Sequence, residues 1–432
     1  MIDANQTMPT AMTLADVVTD ENTLFLDSYV KGAADFIRTC ATPMTIAIQG
    51  DWGTGKSSLI NLIERELREV DDPEGDNPQA RAYCKDIIGA AIVDVWTQSV
   101  ANPKASLLED LLTEMITNFW GVGRRAVADM SALASAATQI VKTMSSDKKD
   151  RSEDDSLIGS LLGSLFGDEE KTKDDLAGNY VTKEDVEAFH AELSEVLQQA
   201  VQKNGKSDDA RFVVFVDGLD QIDSQASLNL MEQIKTYIDC PRLVFVLAVD
   251  EKTVFDGVRK RLGDRVDEAY KKMFFSKLVQ VPLRIPTSTY NLEYYIKELL
   301  EDEEDLSGEF VKVVDTLLDS PTPVGIKRHI NTTILCRHIF EGQEGIGNDE
   351  LLMLFAAVIL AVESSQGFSA VASCAQGDEE HFGENLKAKL DSLKLDDGVN
   401  WAMLPNLWRG EDGVSENAEK RRIFMSWVRK LK

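Results

Sequence analysis

The hydrophobic positions of this chain form two patterns: uninterrupted apolar runs in its first two thirds, and three- or four-residue spacing between and after them. Five runs are rich in β-branched and aromatic residues and have the length of buried strands. The runs are TPMTIAI, KDIIGAAIVDVWTQS, RFVVFVDGLDQ, CPRLVFVLAVD and KLVQVPLRIP. Because helical patterns separate them, we predict an α/β fold with a parallel sheet covered by helices on both faces.

Helical spacing also predicts which faces are buried. In TLFLDSYVKGAADFIRTC, the apolar face would contain Tyr29, Ala33, Phe36 and Ile37. Further on, ELLMLFAAVILAVES predicts a buried helix by its apolar excess. The final segment, KRRIFMSWVRKLK, predicts a basic amphipathic helix that either docks on its own domain or contacts an acidic partner or a membrane.

This pattern predicts three parts. Residues 20–120 and 211–288 would form the core, residues 121–210 a long helical and partly flexible insertion, and residues 289–432 an α-helical C-terminal domain. A chain of 432 residues has room for two or three domains with ample cores.

The insertion contains SSDKKDRSEDDSLIGSLLGSLFGDEEKTKDD, in which charged ends typical of flexible loops enclose a short apolar segment. Gly159, Gly163 and Gly167 repeat beside an apolar helical face, and a glycine at every fourth position permits close helix contact. We interpret this segment as a docking or self-association helix. Core packing and shallow membrane contact are the alternatives, because about a dozen residues are too few to span a bilayer.

Charge and composition restrict the partners. The formal net charge is −28 and the pI about 4.6, which repels phosphate backbones and makes nucleic acid a poor partner. The five cysteines form neither C-x-x-C nor a ligand cluster with histidine, which favours reduced thiols in a cytoplasmic protein. The N-terminal segment lacks the features of a signal peptide, and no apolar window predicts a transmembrane span.

Residues 49–60, QGDWGTGKSSLI, follow the pattern G-x-x-x-x-G-K-S between a predicted strand and a predicted helix, the context of a phosphate-binding loop. Glycines let successive N–H groups point inward, and the helix adds its positive end. Lys56 would bind the β- and γ-phosphates, and the Ser57 hydroxyl would ligate Mg²⁺. The alternative is a glycine-rich turn that only packs. The segment expected to bind nucleotide is Gly50, Asp51, Trp52, Gly53, Thr54, Gly55, Lys56, Ser57 and Ser58.

Two acids end predicted strands at the edge of the sheet where ligands of open α/β folds bind. Asp217 ends the third run and would hold Mg²⁺ opposite Ser57, or would cap the turn that follows. Asp250 ends the fourth run and would sense the bound nucleotide or cap the strand end. We expect Mg·ATP as the ligand, and Mg·GTP is the alternative that the sequence leaves open, although no N-K-x-D pattern that reads guanine is evident.

Together these motifs resemble the KAP family of P-loop NTPases. The resemblance rests on QGDWGTGKSSLI, VDVW at 93–96, FVDGLDQI at 215–222, LVFVLAVD, KLVQVPLRIP and TPVGIKRHIN at 322–331, and covers roughly residues 20–340. The family belongs to the signal-transduction ATPases with numerous domains (STAND), which are related to AAA+ proteins, and it includes phage-interference proteins and animal receptor scaffolds. The resemblance implies an ATPase that couples binding and hydrolysis to assembly with effector proteins, in bacterial anti-phage defence.

Two departures concern the acids and the insertion. Gly218 stands where the family has a second acid and Gln221 where it has an arginine, which leaves Asp220 as the nearest candidate to orient or deprotonate the attacking water. We therefore expect slow hydrolysis that a partner accelerates. The insertion lacks the transmembrane helices that many members carry there.

A third departure concerns the arginine that would contact the γ-phosphate. Arg328 in TPVGIKRHIN matches the basic position of the family motif, with Pro323 suited to a first helical turn, although a surface arginine is the alternative. Arg259, Arg261 and Arg265 are rival arginine fingers that would act across a subunit boundary.

Two functions therefore stay open at the level of sequence. One is an ATPase that controls assembly with partner proteins, and the other is a nucleotide-bound scaffold with little or no turnover. Peripheral membrane contact is a further possibility for either.

Overall fold

The computed structural model describes a β-sheet, the helices that precede, separate and follow its strands along the chain, and much of the C-terminal region. The described residues are 26–68, 83–101, 106–123, 137, 183–203, 205–263, 267–300, 306–340, 347–377, 381–393, 395, 397–409 and 417–432. Gly159, Gly163 and Gly167, on which the predicted self-association helix depends, lie outside these residues, as does Arg265.

Five parallel strands form one sheet in the order β2-β3-β4-β1-β5. The strands are β1 (Met44–Gln49), β2 (Ile87–Asp94), β3 (Arg211–Asp217), β4 (Leu243–Val249) and β5 (Val281–Arg284). All seven residues of β4 are buried, as are the first six of β3. A strand buried at every position is covered on both faces, so the predicted α/β fold with a parallel sheet is confirmed.

Eight helices of the described core connect or flank these strands. They are α1 (Asp27–Thr39), α2 (Lys56–Glu66), α3 (Val95–Ala101), α4 (Leu107–Gly123), α5 (Lys183–Lys203), α6 (Ser224–Gln233), α7 (Glu251–Leu262) and α8 (Glu268–Leu278). A π-helical turn, Ile234–Ile238, continues α6.

All five strands are shorter than the runs that predicted them, and the difference is largest for β2 and β5. In KDIIGAAIVDVWTQS, the strand ends at Asp94 because its carboxylate accepts the N–H groups of Trp96 and Thr97, both at 3.1 Å, and so starts α3. In KLVQVPLRIP, Lys277 and Leu278 close α8, and the strand begins only at Val281.

The helix predicted before the first strand is present as α1, but the face predicted for it is only partly buried. The residues that α1 buries are Val30, Ala34 and Ile37, whereas Phe36 is 39% exposed. Ile37 is the one member of the predicted face that is buried. Because residues 30, 34 and 37 also share a helical face, periodicity alone did not decide between the two stripes.

The described chain divides into two compact units. The core unit comprises Asp27–Trp52 and Lys56–Ile285. The C-terminal unit comprises Pro286–Lys432, together with Leu26 and the short segment Gly53–Gly55. The predicted bounds of core, insertion and C-terminal domain stay a prediction.

The described C-terminal unit is helical. Its helices are α9 (Leu292–Leu300), α10 (Leu306–Leu317), α11 (Pro323–Phe340), α12 (Asn348–Glu363), α13 (Ser365–Ala375), α14 (Phe382–Leu393) and α15 (Ala418–Leu431), with 3₁₀ turns at Thr287–Thr289 and Trp401–Trp408. Residues 351–360 of α12 are all buried, so the buried-helix prediction is confirmed. The last helix, α15, contacts α12 and buries Phe424, Met425, Trp427 and Val428, so it docks on its own unit.

Candidate functional site

The phosphate-loop candidate begins directly after β1 and ends where α2 starts, at Lys56. Gly53 and Gly55 adopt left-handed φ values of +79° and +91°, which residues with a Cβ rarely adopt. A Cβ on Gly53 would also lie 2.9 Å from the Cβ of Val324, a residue of the same unit. The backbone conformation therefore favours glycine at both positions, and the space around Gly53 also leaves no room for a larger residue.

Within the C-terminal unit, the backbone of 53–55 is held at two carbonyls. The Tyr290 hydroxyl donates to the Thr54 carbonyl at 2.6 Å, and the Val324 N–H donates to the Gly53 carbonyl at 3.4 Å. Thr54 is buried. These contacts explain why the short segment clusters with the C-terminal unit.

Lys56 is a buried charge surrounded by oxygen atoms. Its ammonium donates to the carbonyls of Gly50 at 2.8 Å and Asp51 at 2.9 Å, and it forms an ion pair with Asp220 at 2.8 Å. Both side chains of the ion pair are 7% exposed. A buried ammonium needs such partners, so Asp220 is held at the loop lysine rather than standing free.

Asp217 lies at the carboxyl end of β3, where its carboxylate accepts the Gly218 N–H at 2.8 Å. Burial raises its pKa, and the charges of Asp94 and Asp220 raise it further. Hydrogen bonds from the Ser57 hydroxyl and from the Gly218 N–H act in the opposite direction. The structure thus brings together the two residues predicted to hold Mg²⁺, Ser57 and Asp217.

Asp94 lies beside the candidate site, and the sequence analysis assigned it no role there. It ends β2 and lies opposite Asp217 in the parallel register of β2 and β3. Its side chain is exposed and caps α3. The available signal was an acid at the carboxyl end of an apolar run, the same signal that identified Asp217.

The remaining loop residues face solvent to different degrees. Trp52 is 65% exposed, and Asp51 pairs with the exposed Lys252 at 2.7 Å. Ser58 is half-buried in the first turn of α2. Asp250 accepts the Lys252 N–H at 3.0 Å and caps α7, as the strand-end alternative predicted.

The arginine candidates occupy separate environments. Arg328 is an exposed residue of α11, which does begin at Pro323, and its charge helps to lower the pKa of Glu363 within the C-terminal unit. In the core unit, Arg259 pairs with Asp256, and Arg261 pairs with Glu232 at 2.7 Å. The assignment of an arginine finger stays a prediction.

The described residues offer magnesium few ligands of their own. Within the described ranges, no group of three or more His, Cys, Asp or Glu side chains is arranged to hold a metal. Magnesium sites in nucleotide-binding proteins commonly use one or two protein oxygens and take the rest from phosphates and water. Ser57 and Asp217 fit that donor set.

A parallel sheet whose first strand passes through a glycine loop into a helix bearing a lysine and a serine defines a P-loop NTPase. The chain belongs to the KAP family: the model of the KAP family P-loop domain matches residues 26–318, more than half of the chain. Nucleotide binding is the property that this class implies. No curated protein matches the chain.

The solved structures that match the chain include two proteins of Aeropyrum pernix. The ORC1 protein in complex with DNA is 11% identical with a TM-score of 0.38, and the match covers 97% of each chain. The ORC2 protein, described as ADPNP-ADP complexes, is 11% identical with a TM-score of 0.37, covering 89% of this chain and 83% of the other.

Among the helices that the structure describes, none has both the length and the apolar character needed to cross a membrane.

Proposed function

We propose that the chain binds Mg·ATP at residues 50–58 and hydrolyses it slowly, using the nucleotide state to control assembly with partner proteins. The observation that carries the proposal is the buried ion pair between Lys56 and Asp220, at 2.8 Å, which joins the start of the helix after the loop to the segment that follows β3. Ser57 follows Lys56 and Asp217 precedes Asp220 by three residues, so the ion pair brings two potential magnesium ligands from distant parts of the sequence to the same end of the sheet.

Each residue has a defined task in this proposal. Lys56 supplies the positive charge for the β- and γ-phosphates, and N–H groups of the loop and of the start of α2 bind phosphate oxygens. Ser57 and Asp217 hold Mg²⁺, whose bound charge offsets that of the phosphates. To reach a phosphate, the Lys56 ammonium has to exchange at least one of its three oxygen partners, Gly50, Asp51 and Asp220, for a phosphate oxygen.

The proposed assembly and biological setting are taken from the resemblance to the family. Phage-interference proteins among its members support a role in bacterial anti-phage defence, with effector proteins as partners. Self-association is the proposed physical output, because rival fingers such as Arg259 and Arg261 lie exposed on the core unit. The net charge of −28 supports protein partners over nucleic acid.

A second function is a scaffold that holds nucleotide without turnover. The observation that favours it is the position of Asp220, the acid predicted to act on water, whose carboxylate is instead buried against Lys56. Gly218, in place of a second acid, removes the other carboxylate of the family pattern. Binding without hydrolysis would match this arrangement.

Calorimetry tests the shared step. We expect Mg·ATP to bind the wild-type chain and Lys56→Ala to lose that binding. Because Lys56→Ala leaves the Asp220 carboxylate buried without its ion-pair partner, the double variant Lys56→Ala/Asp220→Asn is measured beside it. The matched control is Lys235→Ala, which removes a lysine that pairs with Asp239 elsewhere in the core.

Phosphate release then separates the two functions. Slow release that stops in Lys56→Ala supports the ATPase, and binding without release supports the scaffold. Mg·ATP heat that is unchanged in Lys56→Ala would contradict both. Native mass measured with Mg·ATP and with Mg·ADP tests assembly, and equal masses in the two states would contradict nucleotide-controlled self-association.

A further inference from the structure

The carboxyl ends of β2 and β3 bring an unassigned acid to the proposed site. Asp94 and Asp217 are direct neighbours in the parallel register, each the last residue of its strand. Successive carboxyl-end residues of parallel strands share one edge of the sheet, so both carboxylates belong to the ligand-binding edge.

Gly218 shows where the Asp94 carboxylate lies. Gly218 follows Asp217 and has a left-handed φ of +75°. A Cβ built on it would lie 3.0 Å from Oδ1 of Asp94 and 3.0 Å from the Cβ of Trp96. An acid at position 218 would therefore be strained and crowded, and the space where its side chain would begin is already next to a carboxylate from β2.

Asp220, the other candidate base, is less accessible to water than Asp94. The Asp220 side chain is 7% exposed and paired with Lys56, whereas Asp94 is exposed. Oδ1 of Asp94 accepts two backbone N–H groups, and Oδ2 accepts the Thr97 hydroxyl at 2.5 Å. A carboxylate oxygen accepts two hydrogen bonds, so Oδ2 keeps a lone pair for water.

We infer that Asp94 supplies, from β2, the carboxylate that accepts the proton of the attacking water, in place of the acid that position 218 lacks. The inference rests on the hydrolysis proposed above. The water oxygen forms a bond to the γ-phosphorus while the bond from that phosphorus to the bridging oxygen breaks, and its electron pair leaves with ADP. One water proton moves to Asp94 and then to solvent.

The competing role of Asp94 is only to cap α3. Asparagine and serine cap helices about as well as aspartate, but neither carries a charge that can accept the proton. Asp94→Asn and Asp94→Ser therefore keep the cap and remove the base. Both variants should retain the unfolding midpoint of the wild-type chain and its affinity for Mg·ATP.

The matched control is Asp223→Asn. Asp223 caps α6 by accepting the N–H groups of Gln225 and Ala226, an arrangement like that of Asp94, and it has no place in the proposed machinery. Asp220→Asn forms the other arm, because it removes the rival acid.

We expect single-turnover hydrolysis to fall about 100-fold or more in Asp94→Asn and Asp94→Ser, and to stay unchanged in Asp223→Asn. A second readout is independent of turnover: calorimetric binding of Mg·ADP with fluoroaluminate, which imitates the transferred phosphoryl group. A residue that acts in the transition state should weaken that complex at least tenfold in Asp94→Asn while Mg·ATP binding is unchanged.

Hydrolysis that persists in both Asp94 variants would overturn this inference and leave the proposed ATPase intact. The role of Asp94 is equally refuted if Asp220→Asn abolishes hydrolysis while the two Asp94 variants retain it. Absence of hydrolysis in the wild-type chain would refute the proposed turnover itself, and the role of Asp94 with it.

Discussion

Asp217 in the core unit and Glu363 in the C-terminal unit are carboxylates at the ends of their elements, and their surroundings shift the pKa in opposite directions. Burial raises the pKa of Asp217 above its ordinary 3.8. A hydrogen bond between Glu363 and Nε2 of His329, at 2.8 Å, lowers the pKa of Glu363 below its ordinary 4.5.

The difference follows from what surrounds each group. Glu363 meets the buried His329 and is near the charge of Arg328, so its anionic form is stabilised within its own unit. Asp217 has Asp94 and Asp220 as charged neighbours, and in the protein alone its anionic form is penalised. An added cation would offset the negative charge collected at this edge, as the proposed magnesium site requires, whereas the C-terminal pair contributes to stability without a ligand.

The largest change in stability is expected at the buried ion pair of the core unit, Lys56 and Asp220. We expect Asp220→Ala to destabilise the chain by about 3 kcal/mol, because it leaves the Lys56 ammonium buried without its counter-charge. Urea unfolding at pH 7 measures the change. The control is Asp256→Ala, which removes an exposed partner of Arg259 and should cost less than about 0.5 kcal/mol.

A rescue variant sharpens the same test. Replacing both partners, as in Lys56→Met/Asp220→Leu, should recover most of the lost stability, since a buried pair is often replaced by apolar residues at no cost. If Asp220→Ala and the double variant lost the same free energy of unfolding, the loss would not come from the unpaired Lys56 charge but from other contacts of the loop.

A smaller effect is expected in the C-terminal unit. Glu363→Ala removes the hydrogen-bond partner of Nε2 in a histidine that is 1% exposed, and should cost about 2 kcal/mol at pH 7. Because the folded pKa of Glu363 is lowered, its contribution is complete above pH 4.5 and is lost as the pH falls below 4.5 through the folded pKa.

Thermal unfolding from pH 7 to pH 4 checks both statements. The difference in unfolding midpoint between the wild-type chain and Glu363→Ala should be constant down to about pH 5 and should become smaller at lower pH. Asp349→Ala, which removes the exposed partner of Lys420 from the same helix, is the control for losing any carboxylate. A gap that widens towards pH 4 would show that the sign of the Glu363 shift is wrong.

Local sequence predicted much of the core. The five strands, the glycine loop and the position of Asp217 follow from apolar runs and short motifs, in which neighbouring residues carry the signal. The buried helix α12 followed in the same way, because its apolar excess is independent of tertiary context. What failed was the choice of face on α1, where two stripes of similar apolarity compete.

The contacts within the site could not be predicted from residues that are neighbours in sequence. The approach of Asp94 to Gly218 depends on the register between β2 and β3, which joins residues far apart in sequence. The Lys56–Asp220 pair likewise requires that the loop after β3 fold back towards the P-loop. The water-activating role of Asp220 was assigned because Asp220 is the nearest remaining acid in sequence, and it stays a prediction; nothing in the sequence indicated that its carboxylate would pair with Lys56.

The smallest expected effect has the opposite sign. Asp217→Asn, studied without nucleotide and with a chelator, should stabilise the chain by about 1 kcal/mol at pH 7, because it removes a penalised charge and keeps an oxygen that accepts the Gly218 N–H. Since the folded pKa of Asp217 is raised, this gain is complete above the folded pKa and disappears as the pH falls through it towards 3.8.

Urea unfolding of the wild-type chain and of Asp217→Asn across that pH range measures the gain in stability. With saturating Mg·ATP, the wild-type chain should instead be the more stable of the two. A ligand at 100 times its Kd adds about 2.7 kcal/mol to the wild-type chain, and less to a variant that has lost a magnesium ligand. If Asp217→Asn were instead destabilising at pH 7, Asp217 would resemble Glu363. The edge of the sheet would then stabilise its acid through internal partners, and the contrast between the two units would fail.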